Sequence, residues 1–368
     1  MNDDLVTLVD SVRDQLRHRT DLALEPTLER TARRLFPLVH ERDLTGLLRE
    51  ARSELVGLGP LEHLLADPSV TEVMVNRGCE LWVDRSGRPE RCGELPPDRA
   101  MALVERIIHP LGLRLDRTHP IVDARLADGQ RLCAVAPPIA PDGVCFSIRR
   151  FTDRILGLED FAPDPVVEVL AELVDAMCNV VVSGATSSGK TTLLGALIRR
   201  ADPADRIVTI EDTAELRLGV EHAVRLECRA GEHGVDPVDL GRLVRTALRL
   251  RPDRLVVGEV RGAEVVDLVQ ALNTGHDGSF ATCHANSPAD AIRRLESLVV
   301  LGAPSWPLPA VREQLRSSVD AIVHVARTRD GHRRVVDVVE VPAPGSPDAP
   351  RPLADATCRL GTVSRIRR

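Results

Sequence analysis

The chain has 368 residues, 43% hydrophobic and 28% charged, a composition that indicates a globular protein long enough for two domains. Its net charge is −7, and its aromatic content is 2% with no tyrosine. Binding to nucleic acid generally needs basic side chains for phosphates and aromatic ones for bases, so this composition argues against a general nucleic-acid binder. No apolar run approaches the ~20 residues that cross a bilayer, and the first residues lack a signal-peptide pattern. We therefore expect a cytoplasmic protein without direct membrane insertion.

The residue pattern in the first part of the chain predicts helices followed by a small domain of both helices and strands. Within residues 1–55, apolar side chains recur at helical spacing, as at Leu5, Leu8 and Val12, which predicts a helical leader. Residues 56–150 change to short alternating strands broken by glycine and proline, with one helix at about 98–111. This pattern predicts an α+β domain.

The second part of the chain predicts an α/β domain. The Pro-containing stretch 151–165 is expected to be a hinge linker. Through 166–341, helical patterns alternate with apolar strands, which is typical of a sheet covered by helices. The tail 342–368 begins with a proline-rich run, PAPGSPDAPRP, whose composition predicts disorder.

A phosphate-binding motif opens the α/β domain. GATSSGKT fits G-x-x-x-x-G-K-[ST] and stands between the strand-like NVVVS and the helical TTLLGALIRR. In such a turn, backbone N–H groups and the helix N-terminus converge on phosphate oxygens, while the lysine reaches the β- and γ-phosphates. The first threonine after that lysine would hold Mg²⁺. The predicted phosphate-contacting residues are Gly184, Ala185, Thr186, Ser187, Ser188, Gly189, Lys190, Thr191 and Thr192.

The lysine of this motif is the only lysine among the 48 Lys plus Arg residues, the other 47 being arginine. A guanidinium is planar and bulky, whereas a backbone nest takes a compact ammonium on a flexible stem. The exception therefore supports phosphate binding at Lys190. The motif does not indicate which nucleotide base is bound, and Phe151 and Phe161 are only weak candidates for stacking on that base.

Three further segments carry candidate catalytic side chains. RLVVGEVRG ends a predicted strand in Glu259, and IEDTAEL places Glu211 at the end of another. A carboxylate there can polarise water or join a Mg²⁺ shell, although single acids at such positions are more often caps or surface groups. TGHDGSFATCHAN brings His276 and His284 together, eight residues apart, as a packing detail or half of a metal site.

The order of these motifs resembles the ATPases of type II and type IV secretion systems. Segments such as HPIVDARLADGQR, FSIRRF and TALRLRPDRLVVGEVRGAEVVDLVQALNTGHDGS are most similar to the CpaF/TadA branch, which powers tight-adherence (Flp-type) pili. The resemblance covers about 55–340. It implies a RecA-like ATPase domain hinged to the smaller α+β domain.

The resemblance also implies roles for particular residues. Glu259 would be the main catalytic acid and a Mg²⁺ ligand beside Thr191, with Glu211 as its partner. His276 would sense the γ-phosphate. Two arginine pairs complete the set, Arg225 and Arg229 at a subunit boundary and Arg149 and Arg150 at the hinge, near the nucleotide.

The implied assembly is a hexameric ring that hydrolyses ATP with Mg²⁺ and drives a platform protein of the cytoplasmic membrane. Two alternatives stay open at this point. One is a DNA-transfer ATPase of the conjugation type, and the other is a nucleotide-gated scaffold with little turnover.

Overall fold

The computed structural model describes residues 3–18, 23–85, 88–126, 129–150, 155–229, 236–328, 331–346 and 348–367. The chain forms two compact units, Met1–Thr152 and Asp153–Arg368. Within the described residues, no helix has both the length and the apolar character that crossing a bilayer requires.

Three amphipathic helices begin the first unit and share a small core of their own. They are α1 (Asp3–His18), α2 (Leu24–Leu35) and α3 (Glu41–Val56). Leu8 of α1 and Leu28 of α2 are fully buried in this core because both helices keep apolar residues on one face. The predicted leader is thus helical, but it belongs to the same unit as the α+β domain and is not a separate body.

An antiparallel sheet and one long helix form the rest of the first unit. The elements are α4 (Glu62–Ala66), β1 (Val70–Asn76), β2 (Glu80–Arg85), β3 (Arg88–Glu94), α5 (Pro97–Ile108), β4 (Ile121–Arg125), β5 (Arg131–Val135) and β6 (Cys145–Arg149). The strand order is β3-β2-β1-β6-β5-β4, and its apolar face shares a core with α5. A hydrogen bond of 2.7 Å from Arg106 of α5 to the carbonyl of Gly57 ties this part to the end of α3.

The second unit is an α/β sandwich. Its elements are α6 (Asp164–Asp175), β7 (Val180–Gly184), α7 (Lys190–Arg200), β8 (Ile207–Glu211), β9 (Ala223–Glu227), α8 (Leu240–Ala247), β10 (Arg254–Val260), α9 (Glu264–Leu272), β11 (Phe280–His284), α10 (Pro288–Gly302), α11 (Leu308–Ser318), β12 (Ala321–Arg327), β13 (Arg333–Glu340) and β14 (Arg351–Asp355). The strand order is β14-β13-β12-β7-β11-β10-β8-β9. Six neighbouring strands in this order run parallel, namely β12, β7, β11, β10, β8 and β9. Strand β13 pairs antiparallel with β12, and β14 pairs antiparallel with β13.

The central strands are buried on both faces, which explains their continuous apolar sequences. Helices α6 and α7 share a core with one face, and α8 to α11 share a core with the other. Since β7, β8, β10 and β11 are parallel, their carboxyl ends meet at one edge of the sheet. Gly184, Glu211, Glu259 and His284 all lie at this edge.

The structure corrects the predictions for the hinge and the tail. Of the predicted hinge, residues 155–165 belong to the second unit, where Leu158 and Phe161 are buried in the core beside α6. The tail 342–368 is not disordered throughout, because β14 pairs with β13 and buries Leu353 completely. Proline and glycine fill the loop before β14, but the strand itself satisfies its backbone groups in the sheet.

Candidate functional site

The phosphate loop connects β7 to α7 through a turn that its two fixed glycines require. A Cβ atom on Gly184 would lie only 2.3 Å from the carbonyl oxygen of Val325. Gly189, at the N-cap of α7, has φ +100°, a conformation that side chains strongly disfavour. Both glycines therefore serve the backbone path of the loop, which agrees with the sequence prediction.

The loop has free polar groups that suit an anion. Ala185, Thr186 and Ser187 are exposed, and the loop leads directly into the N-terminus of α7. Ser188 is buried, and its hydroxyl has no hydrogen-bond partner within the part of the chain that the structure describes. A buried hydroxyl without a partner is costly, and a phosphate oxygen would satisfy it.

Lys190 is folded back onto the loop and towards a histidine. Its ammonium donates a hydrogen bond of 2.9 Å to the carbonyl of Ala185 and lies 3.3 Å from Nδ1 of His284. The residue is only 7% exposed, and burial lowers the pKa of its ammonium while Glu259 opposes that shift. The ammonium is therefore held where the loop would place phosphates.

His284 connects this lysine to Glu259. Its Nε2 lies 3.1 Å from the Glu259 carboxylate, and burial together with nearby Lys190 lowers the pKa of its imidazole. A neutral ring with its proton on Nε2 satisfies both contacts, since Nε2–H donates to the carboxylate and Nδ1 accepts from the ammonium. The second Glu259 oxygen lies 3.5 Å from Arg261, which pairs with Asp212 at 2.7 Å.

His284, and not His276, is the histidine that lies beside Lys190, so the structure does not support the predicted role of His276 at the γ-phosphate, which stays a prediction. Residues of β11 and β7 pair in register, with Phe280 opposite Val180 and His284 opposite Gly184. His276 precedes β11 and bonds the carbonyl at the end of α9 through Nδ1 at 3.1 Å. His276 thus lies before the first residue of β11, whereas His284 is its last residue, and the strand between them spans about 13 Å. The strand pattern SFATCH was the available signal, because it ends at His284.

Glu211 lies at the predicted sheet edge but is enclosed. One carboxylate oxygen accepts hydrogen bonds from the backbone N–H groups of Glu215 at 2.9 Å and Leu216 at 3.0 Å. The other is buried without a partner among the described residues, and burial raises the pKa of this carboxyl to about 7. Its Cγ approaches so closely that a Cβ atom on Gly258 would lie 2.8 Å away. Glu211 therefore anchors the loop after β8 beside the glycine that precedes Glu259.

The two predicted boundary arginines lie on or just after the edge strand β9. Arg225 is exposed and donates to the carbonyl of Ala214 at 3.1 Å, and exposed Arg229 donates to the carbonyl of Asp236 at 3.0 Å. Neither contacts the phosphate loop. A role at a subunit boundary stays a prediction.

The remaining predicted residues have mixed outcomes. Arg149 ends β6 and Arg150 donates to the carbonyls of residues 67 and 70, both within the first unit, so their action on a nucleotide stays a prediction. Phe161 is 1% exposed in the core and cannot stack on a base. Phe151 lies outside the described residues.

The donor set at the sheet edge fits Mg²⁺ held largely by a nucleotide. Thr191 lies in the first turn of α7 with Thr192 beside it, and Glu259 supplies a carboxylate. Among the described residues there is no group of three or more His, Cys, Asp or Glu side chains that could hold a metal ion. Mg²⁺ commonly keeps waters and phosphate oxygens beside one or two protein ligands, so this sparse set is sufficient.

The sheet order, the phosphate loop and the edge carboxylates define a nucleotide-binding core of the RecA-like P-loop class. Solved structures share this fold. DotB of Legionella pneumophila matches with a TM-score of 0.56 and 22% identity over 77% of this chain and 79% of its own. The pilus retraction motor PilT matches with a TM-score of 0.54 and 20% identity over 77% and 82%.

Sequence comparison gives the family. Residues 54–360 match the family described as type II/IV secretion system protein, and the chain belongs to it. A protein of Mycobacterium tuberculosis named for conjugal transfer is 40% identical over 82% of this chain and 89% of its own. The conjugal transfer protein TrbB of Rhizobium radiobacter is 36% identical over 75% and 85%, and the type IV secretion protein PtlH of Bordetella pertussis is 33% identical over 76% and 93%.

Proposed function

We propose that this chain is an ATP hydrolase that powers a tight-adherence (Flp-type) pilus or a related secretion machine. The observation that carries the proposal is the line Lys190–His284–Glu259, which joins the phosphate loop to the edge carboxylate through contacts of 3.3 and 3.1 Å. Family membership supports it. The finer assignment to the CpaF/TadA branch depends on the sequence motifs.

Each residue of the line has a distinct task. Lys190 would exchange its bond to the Ala185 carbonyl for the β- and γ-phosphates, and the Ser188 hydroxyl would donate a hydrogen bond to a phosphate oxygen. Glu259 would orient the attacking water and accept its proton as the oxygen joins the γ-phosphorus and ADP leaves. His284 would position Glu259 through the hydrogen bond from its Nε2–H and keep the Lys190 ammonium beside it. Mg²⁺, held through Thr191, would neutralise phosphate charge.

Phosphate release from Mg–ATP tests the enzymatic part. Glu259→Gln keeps the size of the side chain but removes its negative charge, so we expect turnover to fall at least 100-fold with ADP binding retained. Glu168→Gln is the matched control, because Glu168 is an exposed glutamate of α6 and is not one of the residues at the strand ends that form the site. Wild-type turnover in Glu259→Gln would contradict the role of Glu259. No turnover in the wild-type protein would support a nucleotide-gated scaffold.

We also propose that the working form is a ring, expected to be a hexamer, at the cytoplasmic face of the membrane. There it would act on a membrane platform protein. Genes for such a platform protein and for a small prepilin beside this one would support the pilus assignment. Copurification of the platform protein with this chain tests the contact itself.

A DNA-transfer ATPase is the second candidate, and the names of the relatives from M. tuberculosis and R. radiobacter favour it. The net charge of −7 opposes it. DNA-stimulated ATP turnover that falls steeply with salt would support DNA transfer. Turnover indifferent to DNA would leave the pilus assignment.

A further inference from the structure

The hairpin formed by β12 and β13 lies against the phosphate loop at both of its fixed glycines. Val325 of β12 approaches Gly184, as described above. On β13, the Cδ atom of Arg333 would lie 2.7 Å from a Cβ atom on Gly189, and its Cβ and Cγ would lie 3.4 Å away. The aliphatic stem of Arg333 therefore crosses the glycine that directly precedes Lys190. The guanidinium begins one bond beyond Cδ.

The side of β13 on which the Arg333 side chain lies is consistent with this contact. Val325 and Val335 are paired across the hairpin and are buried in the core that includes α6 and α7. Because side chains alternate along a strand, Arg333 shares the face of Val335, and Arg334 lies on the opposite face. Arg334 is exposed. The two neighbouring arginines thus differ in whether they are directed towards α7.

The strand order indicates how a nucleotide bound at the phosphate loop would be oriented across the sheet. Strand β7 stands between β11 on one side and β12 on the other. His284 on β11 and Glu259 on β10 lie on the first side and contact Lys190 or each other. If they face the terminal phosphate, the α-phosphate and the ribose extend towards β12 and β13. That is the side on which Arg333 crosses the loop.

We propose that Arg333 is a further nucleotide-binding residue, which contacts the α-phosphate at the nucleoside end of the site. The inference rests on the proposed function, since it needs a nucleotide in the phosphate loop. A guanidinium can form two parallel hydrogen bonds to phosphate oxygens. ATP and ADP both carry the α-phosphate, so Arg333 holds substrate and product equally and contributes affinity without acting in the chemical step.

Calorimetric binding to Arg333→Met tests the inference, because methionine keeps an aliphatic stem against Gly189 but lacks the guanidinium. We expect affinities for ADP and for Mg–ATP to fall by the same factor, roughly 10- to 100-fold, as for loss of a charge-assisted hydrogen bond. The maximal turnover rate should stay within about twofold. Arg334→Met is the matched control and should bind ADP like the wild type.

Two further measurements separate charge from packing and locate the contact. Arg333→Lys should bind ADP more tightly than Arg333→Met, because it restores a positive charge. Pyrophosphate, which has no nucleoside, should bind wild type and Arg333→Met within about twofold. Equal weakening of pyrophosphate and ADP would show an effect on the loop itself and overturn the inference, as would weakening of ATP alone.

The outcomes distinguish the two proposals. If the wild type and Arg334→Met fail to bind ADP, the proposed function fails. If both bind ADP and Arg333→Met binds it equally well, the proposed function stands and the role of Arg333 is wrong. Melting temperatures without nucleotide show whether each variant is folded.

Discussion

Lys190 offers a residue-specific probe of the site, because an amine-reactive reagent has no other lysine to modify. We expect Lys190 to react at lower pH than an ordinary lysine, since burial lowers its pKa and leaves more of the amine neutral. Mg–ATP should protect it strongly and AMP only weakly, because AMP lacks the β- and γ-phosphates. Mass spectrometry of modified peptides measures both effects. Modification of Lys190 that is unchanged by Mg–ATP would contradict its place at the phosphates.

The two histidines of the TGHDGSFATCHAN segment should behave differently. His284→Ala removes the group between Lys190 and Glu259, so we expect turnover to fall by about 100-fold. His276→Ala, at the opposite edge of the sheet, serves as the matched control and should keep turnover within a few-fold of the wild type. Steady-state phosphate release measures both. A greater loss in His276→Ala would restore the assignment made from the sequence.

Glu211 should make the stability of the second unit depend on pH. Its pKa is about 7 in the folded protein against an ordinary 4.5, so between these values the folded state holds a proton that the unfolded state has lost. Stability from this group therefore falls as pH rises through that window. Glu211→Gln does not titrate but keeps an oxygen for the N–H groups of residues 215 and 216.

We expect the free energy of unfolding of Glu211→Gln, relative to wild type, to rise by roughly 2 kcal/mol from pH 5 to pH 8. Urea unfolding at the two pH values measures it. Glu168→Gln, an exposed control, should show no such trend. If the difference in unfolding free energy between Glu211→Gln and wild type is the same at pH 5 and pH 8, Glu211 is already ionised at pH 5 in the folded protein.

Among the elements, the segment that contains β14 and continues to residue 367 is held by charge pairs to distant parts of the sheet. Asp320, which directly precedes β12, has a completely buried side chain and pairs with Arg365 at 2.8 Å and Arg367 at 2.7 Å. It also accepts the backbone N–H of Asn179 at 2.7 Å. Arg367 reaches Asp277 at 2.9 Å as well, so this segment fixes the turn before β11.

Removing both arginines should destabilise the second unit strongly. Arg365→Ala with Arg367→Ala leaves the buried Asp320 carboxylate without its ionic partners, for which we expect a loss of about 3–5 kcal/mol. Arg293→Ala, which breaks a pair between neighbouring turns of α10, is the control and should lose less than about 1 kcal/mol. Chemical denaturation compares them. Equal stability of the two variants would mean that the segment is not needed for the fold.

At the scale of the whole molecule, we expect β9, the last strand in the sheet order, to form the contact between copies in a ring. Arg225 and Arg229 lie there and would complete a neighbour's site, as an arginine supplied in trans does in related chemistry. We therefore expect turnover per subunit to rise with protein concentration. A mixture of Arg225→Ala and Lys190→Ala subunits should recover part of the activity that each lacks alone. Turnover that is constant from the monomer upward, with no recovery in the mixture, would assign these arginines to the surface.

The sequence by itself determined the features that depend on neighbouring residues. The phosphate loop needs only a strand, a turn with glycines at fixed positions and a helix, so GATSSGKT located it. The strand of Glu259 and the class of both domains followed from local apolar patterns. The fold of the second unit is confirmed by solved structures with TM-scores of 0.56 and 0.54.

Only the tertiary structure decided the features that depend on which residues meet across the sheet. His284 and His276 have similar sequence surroundings, and the register of β11 against β7 is what places one at the phosphate loop. The segment after residue 342 looked disordered because its partners are far away in sequence. Arg359, for example, pairs with Glu172, 187 residues earlier. Glu211, which the resemblance gave as the catalytic partner of Glu259, is buried and anchors the loop after β8, while its catalytic role stays a prediction. The sequence could not show this burial, since the desolvation of a carboxylate depends on the packing around it.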